Sequence, residues 1–584
     1  MSAAIQFGEF QADLHARELR RLGARVPLQA QPFEVLLALL QRPGQLISRE
    51  TLQKKIWPDI AFIDAEGGLN KAVNRLREAL GDRSGKPQFI ETLPKRGYRW
   101  IAPLSYGIRS LAVLPLADHS VDQTRVEWAD SITDELIDAI SCVTALDVIS
   151  RTSAMRFKNS AQQISEIARH LNADAVLEGS VGVSERKMAI RLRLLESFSE
   201  RLLWSGAYEG DLDEIIALQH QIASEIAIEL QTDGTKTRNR SGFSEKRIDP
   251  GAYEACMKGR LFWGRRTETD LEKSIECFNQ AATIDPMYAE SYLGIADAQI
   301  MLGIFGLRKP CEAFPNARLA AEKALQIDHH LSGAHTSLGT ILSMYFWEPA
   351  AAEERFRRAL DLNPSSSIAH QWYGAHLNAM GRNDEAIASV RRARTLDPLS
   401  VVINAFLGLT YYKARQFPAG VDAAREAVEL DPNNPFAHYI LSRTLCGSGE
   451  YGAAVSEAEI ACSLSHNRLP FAAHTGYAYG RAGLHTKALE VLTRLHELRH
   501  SRYVSPYEIA VIYLSLDDRG AAAEWLERAL EERAAKLTEI LDPVFDPLRG
   551  CELFSRIVSE LRIPKKPDRC DSTRAERSGL QEIR

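Results

Sequence analysis

Two stretches near the N-terminus carry side chains suited to gripping a polyanion. Between residues 66 and 80, Leu69, Val73, Leu76 and Leu80 recur at steps of 4, 3 and 4, the spacing of one apolar helix face. Asn70, Asn74 and Arg77 share the opposite face, with Lys71, Arg75 and Glu78 flanking it. Lys and Arg neutralise phosphates, and Asn and Arg offer bidentate hydrogen bonds to base edges. Lys95 and Arg96 stand in Leu93–Gly97, between two short strand-like runs. A basic hairpin tip of this kind neutralises phosphate or probes a minor groove. The chemistry on offer is recognition of double-stranded nucleic acid, with seven candidate contacts: Asn70, Lys71, Asn74, Arg75, Arg77, Lys95 and Arg96.

Other stretches imitate catalytic motifs. His496-Glu497-Leu498-Arg499-His500 has the spacing with which two histidines on one helix share a zinc ion. It falls at the end of a helix in a repeated unit, and no motif supplies a third ligand. Gly447-Ser448-Gly449-Glu450-Tyr451-Gly452 matches a dinucleotide-binding glycine pattern, but it follows a helix rather than a strand. Gly81–Lys86 is one residue short of a phosphate loop, and Pro87 stands where Ser or Thr is needed. The expectation is a protein that is not an enzyme, with no catalytic residue, metal or cofactor.

The elements that position the basic residues are legible around them. Phe7–Phe10 and Glu18–Leu28 read as strands, with Gly23 at a hairpin turn. Pro32–Gln41 reads as a helix facing a core through Phe33, Leu36, Leu37 and Leu40. Ser48, with Thr51 three residues on, caps a second helix that Pro58 ends. The third helix carries the basic stripe. Gly67 and Gly68 each cost about 1 kcal/mol in a helix interior, so it is expected to start at 68 or later. Glu66 would repel phosphate unless it points away. Residues 89–104 read as two short strands around the basic tip.

Three helices followed by such a hairpin outline a winged helix. Residues 5–104 resemble the OmpR-type winged-helix DNA-binding domains. The likeness rests on Glu18-Leu19, Pro27-Leu28, Phe33–Leu40, Arg42-Pro43-Gly44-Gln45, Ser48-Arg49-Glu50, Ile56-Trp57, Arg75-Leu76-Arg77, Leu80-Gly81-Asp82, Ile90-Glu91-Thr92 and Lys95-Arg96-Gly97-Tyr98-Arg99. The resemblance implies a third helix in the major groove and a wing near the adjacent minor groove. It also implies that the Leu-Arg pair at 76–77 can serve packing instead of contact.

Residues 107–232 alternate strand and helix patterns, an α/β texture. SLAVLPL, WADSITDELIDAIS, ADAVLEGSV and LLWSGAYEGDLDEIIALQHQIASEIA resemble a TolB-like α/β domain, which brings no catalytic motif. Residues 233–249 read as a polar linker. From 250 to 563 the period is helical. Helix ends recur as AATIDP, ALQIDH, ALDLNP, ARTLDP, AVELDP and ACSLSH, with markers Asp285, Asp328, Asn363, Asp397, Asp431 and Ser465 spaced by 43, 35, 34, 34 and 34. That period resembles tetratricopeptide (TPR) repeats, about eight of them, with an insertion near Gly306–Phe314 and two degenerate copies at the end. Residues 564–584 read as a disordered tail.

Composition sets the outer limits. The chain has 584 residues, net charge −6, 45% hydrophobic residues and eight scattered Cys without a Cys-x-x-Cys. No run of about 18 apolar residues exists and no secretory signal is visible, so a cytoplasmic protein without a membrane partner is expected. Residues 1–104 hold 16 Lys and Arg against 11 Asp and Glu, a net of +5, whereas the rest carries −11. Only the first unit is suited to a polyanion. The fold class is therefore multidomain: an α+β winged helix, a middle α/β domain and an all-α TPR solenoid. The winged helix joined to a TPR array is similar to CadC-like and invasion-gene-activator-like bacterial transcriptional regulators. That likeness implies promoter DNA as partner and a protein, peptide or ligand in the solenoid groove. A homodimer and RNA polymerase are compatible further partners. The alternative is a non-catalytic interaction scaffold whose winged helix binds protein.

Overall fold

A computed structural model describes residues 4–13, 17–57, 65–102, 105–120, 127–144, 146–184, 187–230 and 248–564. Pro58, most of the linker (233–247) and nearly all of the tail (565–584) lie outside the described residues. So does the side chain of Glu66.

The N-terminal unit begins with strands β1 (Ala4–Phe7), β2 (Phe10–Asp13), β3 (Glu18–Arg21) and β4 (Ala24–Val26). Leu22 and Gly23, both at positive φ, form the two-residue turn joining β3 to β4. Helix α1 (Ala30–Leu40), strand β5 (Leu46–Ser48), and helices α2 (Arg49–Ile56) and α3 (Ala65–Leu80) follow. Strands β6 (Ile90–Leu93) and β7 (Gly97–Trp100) make the wing, and β5 pairs with β7 on its other edge. Ser48 caps α2 by accepting from the Thr51 amide at 3.1 Å.

The third helix starts at Ala65, earlier than the two glycines suggest. Packing decides this. A Cβ on Gly68 would stand 3.3 Å from the Trp57 ring, so the small residue lets α3 lie close to the end of α2. Phe7, Phe10, Phe89 and Trp100 meet at ring separations of 4.9 to 5.9 Å and join the first sheet to the wing. Strand β8 (Ser105–Gly107) returns to pair with β1, completing a sheet ordered β4-β3-β2-β1-β8.

The middle region starts at once with β9 (Ser110–Val113) and β10 (Ala117–Asp118). Helix α4 (Glu127–Val143), strand β11 (Asp147–Val148), the short α5 (Arg151–Ala154) and α6 (Ile164–Leu171) come next. Then β12 (Ala175–Ser184), β13 (Lys187–Glu196) and β14 (Leu202–Asp211) form a long meander, and α7 (Ile215–Glu229) closes it. The sheet is ordered β11-β9-β12-β13-β14, parallel on one side and antiparallel on the other, with β10 added parallel to β12. On β13, Met188, Ile190, Leu192 and Leu194 are buried while Lys187, Arg191 and Arg193 are exposed, the alternation of a one-sided strand.

Eight antiparallel helix pairs make the solenoid. They are α8 (Pro250–Arg265) with α9 (Glu268–Ile284), α10 (Ala289–Ile304) with α11 (Pro310–Ile327), and α12 (Ser332–Ile341) with α13 (Pro349–Leu362). Then come α14 (Ser367–Ala379) with α15 (Asn383–Leu396), α16 (Val401–Lys413) with α17 (Phe417–Leu430), and α18 (Pro435–Ser448) with α19 (Tyr451–Leu464). The last are α20 (Leu469–Arg481) with α21 (His485–Leu498), and α22 (Pro506–Ser515) with α23 (Arg519–Glu531). All six marker residues are helix C-caps whose N–H groups bond the carbonyl of an alanine one turn back. Asp285, Asp328, Asn363 and Asp431 also accept the amide two residues on, an Asx turn that redirects the chain. Inside the pairs, a Cβ on Gly408 would meet the Gly420 carbonyl oxygen at 2.9 Å, so only glycine permits that approach.

Two contacts join the middle region to the solenoid. One is a shared core: the Trp128 and Tyr253 rings meet at 5.2 Å with their planes tilted by 38°, and Phe278, Ala281 and Tyr288 pack in the same cluster as the middle sheet. The other reaches far along the chain. Arg392 grips Asp147 with two bonds of 2.7 and 2.5 Å, and Asp397 accepts the Ser153 hydroxyl at 2.5 Å in place of an Asx turn. Leu146 and Val148 meet Ser365, and Ser150 meets the Leu396 carbonyl.

Gly97 and His438 give two tests of this packing. A Cβ on Gly97 would fall 1.9 Å from the Ile47 carbonyl oxygen, so Gly97→Ala must part β5 from β7. We expect it to cost about 3 kcal/mol of stability, read by denaturant unfolding of the N-terminal transition. His438 donates through Nδ1 to Glu457 at 2.6 Å and through Nε2 to the Pro432 carbonyl at 2.9 Å. The Glu457 bond holds its pKa above the ordinary value. The pair should therefore stabilise the solenoid fully below about pH 6.5 and lose that contribution as pH rises through the raised pKa. His438→Gln should remove about 2 kcal/mol at pH 6 and much less at pH 9; equal losses at both pH values would refute the charged pairing.

Candidate nucleic-acid interface

The exposed side of α3 is built by the heptad-like burial of Leu69, Val73, Leu76 and Leu80, which are all buried against α1 and the wing. That burial turns Asn70, Lys71, Asn74 and Arg75 outward, and all four are exposed. They occupy positions i, i+1, i+4 and i+5, a compact patch just over one turn long. Lys95 and Arg96 are also exposed, at the turn between β6 and β7, where Lys95 takes φ +62° and the Arg96 amide bonds the Leu93 carbonyl. Arg75 donates to Gln29 at the start of α1, which steadies its guanidinium beside the patch.

Arg77 is placed differently from the other candidates. It is only 8% exposed, and its Nη2 donates to the Ile90 carbonyl at 2.8 Å and to the Thr92 hydroxyl at 2.7 Å. Its Nε lies 3.9 Å from Asp82, whose carboxylate accepts the amides of Gln88, Phe89 and Ile90. The structure therefore sets Arg77 inside the domain, fastening α3 to the wing strand, and does not present it with the exposed patch. The periodicity put it on the polar face because the residues that cover it, Ile90 and Thr92, come from the wing.

Arg49 belongs with the site although its spacing gave no sign of it. From the first turn of α2 it donates to the Asn70 side-chain oxygen at 2.5 Å and lies 5.5 Å from the Tyr98 ring centroid. The Tyr98 hydroxyl donates to the same oxygen at 3.0 Å. Two donors thus fix the Asn70 carbonyl and leave its amide group as the part suited to an acceptor on a base.

The catalytic look-alikes have structural places. His496 is in the last turn of α21, 3.3 Å from the Tyr513 hydroxyl, and His500 lies beyond the helix end, so the two rings do not share one helical face. Gly449 is the left-handed C-cap of α18. Among the described residues, the group of His, Cys, Asp and Glu close enough to hold a metal is Asp328, His329 and His330, at a repeat turn.

Comparisons with known proteins agree with this geometry. Residues 23–100 match the family described as "Transcriptional regulatory protein, C terminal", and residues 348–401, 407–465 and 507–536 match tetratricopeptide repeats. The chain thus carries an OmpR-type winged-helix domain at its N-terminus and a TPR array at its C-terminus. It is 23% identical over 386 residues to the "Transcriptional regulator HilA" of Salmonella typhimurium, which covers 64% of this chain and 67% of that one. It is 32% identical over 118 residues to the "Cholera toxin transcriptional activator" of Vibrio cholerae, 20% of this chain and 38% of that one. A third relative, "Putative adenylate cyclase 3" of Rhizobium meliloti, is 26% identical over 286 residues, 47% of this chain and 41% of its own length. The chain therefore spans less than half of two of these relatives.

Substitutions separate contact from scaffold. Arg77→Met should cost about 3–5 kcal/mol of stability by leaving Asp82 buried beside no cation. Arg75→Ala should leave the melting curve within about 0.5 kcal/mol of the parent. The reverse order of effects in thermal unfolding would refute the placement of these two side chains.

Proposed function

We propose that this protein is a bacterial transcriptional regulator that binds double-stranded promoter DNA through α3 in the major groove and the β6–β7 wing beside it. The observation that carries the reading is the exposed patch of Asn70, Lys71, Asn74 and Arg75 next to the exposed wing tip Lys95-Arg96, in a domain of matching family. Lys71, Arg75, Lys95 and Arg96 neutralise phosphates or read guanine, Asn70 and Asn74 hydrogen-bond base edges, and Arg77 acts through packing.

The remaining parts follow from the same reading. Residues 1–104 are the DNA-binding unit, 107–232 a TolB-like connector and 250–563 the sensing solenoid, with a linker at 233–249 and a tail from 564. The protein acts in the cytoplasm, and among the described residues no helix is long and apolar enough to cross a membrane. Its solenoid takes a protein or ligand partner, it binds DNA as a homodimer on paired half-sites, and it touches RNA polymerase at the promoter.

Chromatin pull-down sequencing with the intact chain should return discrete promoter sites sharing a short motif. On such a site, Arg75→Ala with Arg96→Ala should weaken binding by roughly 10- to 100-fold and lower the salt slope by about 1 for each phosphate no longer neutralised. Unchanged affinity in the double variant would sink the contact assignment, and an absence of enriched sites would sink the regulator reading.

A further inference from the structure

The helices of the solenoid wind far enough that its first and seventh pairs meet. Arg468, just before α20, donates to the carbonyl of Arg266 at the end of α8, at 3.0 Å and 202 residues away in sequence. Helix α4 of the middle region stands across from the first helices of the successive pairs. Together they surround a cavity of about 1610 Å³, which Arg266, Arg468 and Trp263 all line. Small-molecule sites are usually about 300–1,000 Å³, so this space exceeds what one such ligand needs.

Its cations are not equally paired. Arg260 has Glu135 at 3.4 Å, and Lys413 and Arg443 hold Glu539 and Asp542 of the C-terminal segment. Arg266 and Arg468 differ: among the described residues, neither has a carboxylate within ion-pair distance. The Arg266 guanidinium carbon stands 3.5 Å from the Trp263 ring centroid, a cation–π contact that uses none of its N–H groups. A half-buried guanidinium without an anion is costly, and desolvation accordingly pulls the Arg266 pKa down to about 10. Asp297 is the carboxylate whose field reaches it, but Asp297 is engaged by the Ser337 hydroxyl at 2.5 Å, and burial pushes its own pKa up to about 6.

We propose that Arg266 and Arg468 form an anion-binding site in the lumen between the middle region and the solenoid, and that its ligand is a small organic molecule bearing phosphate or carboxylate groups. The two guanidiniums supply only donors, which disfavours a cationic ligand at this point of the wall. The rest of the cavity leaves room for the organic body. This site is separate from the DNA-facing patch and stands whether or not that patch binds DNA.

Calorimetric titration of the full chain with inorganic pyrophosphate and with citrate tests it. Saturable binding of pyrophosphate, of citrate or of both is expected, and the two arms tell a phosphate ligand from a carboxylate one. Arg266→Gln and Arg468→Gln should each weaken that binding at least 10-fold, whereas Arg75→Ala with Arg96→Ala should leave it unchanged. Without added anion, Arg266→Gln should melt no lower than the parent, because it removes an unpaired charge. If Arg266→Gln does not fold, Arg468→Gln still decides the matter. The inference is overturned by no binding of either probe at millimolar concentration, by binding indifferent to both glutamine variants, or by binding that disappears with the Arg75 and Arg96 pair.

Discussion

The exposed basic patch on α3 and the wing depends on a buried pair that faces away from it. Arg77 and Asp82 stand at the end of α3, and between them they bond three amides, one carbonyl and one hydroxyl of the segment 88–92. Besides that fastening, α3 and the wing meet through apolar contacts and the Tyr98 hydroxyl bond to Asn70. The pair fixes the angle at which Lys95 and Arg96 stand beside Asn70, Asn74 and Arg75. Both charges are deeply buried, so each is tolerable only because the other, and the backbone, satisfies it. Arg49 and Tyr98 extend the same logic to the other end of α3 by holding the Asn70 oxygen.

The same dependence on closure recurs at larger scale. A TPR array is held together between neighbours, and its stability is nearly one-dimensional. Here the array is also tied across its turn: Arg468 reaches Arg266, and the middle region touches both the first pair and the loops after α13 and α15. Asp397 shows the exchange residue by residue. Its counterparts at 285, 328 and 431 close their own turns, whereas Asp397 accepts a hydroxyl of α5 instead. Repeat chemistry has been turned into interdomain chemistry at one position.

How much of this was legible depends on the distance between partners. Local periodicity was enough for α3, for β13 and for the six helix ends, because each signal lies within a few residues of its cause. Gly67 and Gly68 misled on the start of α3 because propensity counts backbone entropy and not the Trp57 ring that Gly68 accommodates. Arg77 read as a contact because the helix pattern knows nothing of the wing that folds over it. The site residues of the lumen had no sequence signal at all. Arg266 lies in a polar helix end, and the residue that meets it is 202 positions away. A superhelical turn, unlike a helical one, leaves no period in a sequence that holds a single copy.

The connection between the two halves has little slack. Strand β8 ends at Gly107 and pairs with β1 of the winged helix, and β9 begins at Ser110 in the middle sheet, so Ile108 and Arg109 alone separate the two sheets. Ile108 packs against the core of the middle region, and Arg109 is held by its amide to Asp174 and by its carbonyl to the Asp147 amide. Asp147 is in turn the residue that Arg392 grips. The connector and its hydrogen bonds therefore lead without a break from the first sheet of the winged helix to the fourth helix pair of the solenoid. The remainder of the chain, with its net charge of −11, is thereby joined to the +5 unit through a two-residue connector.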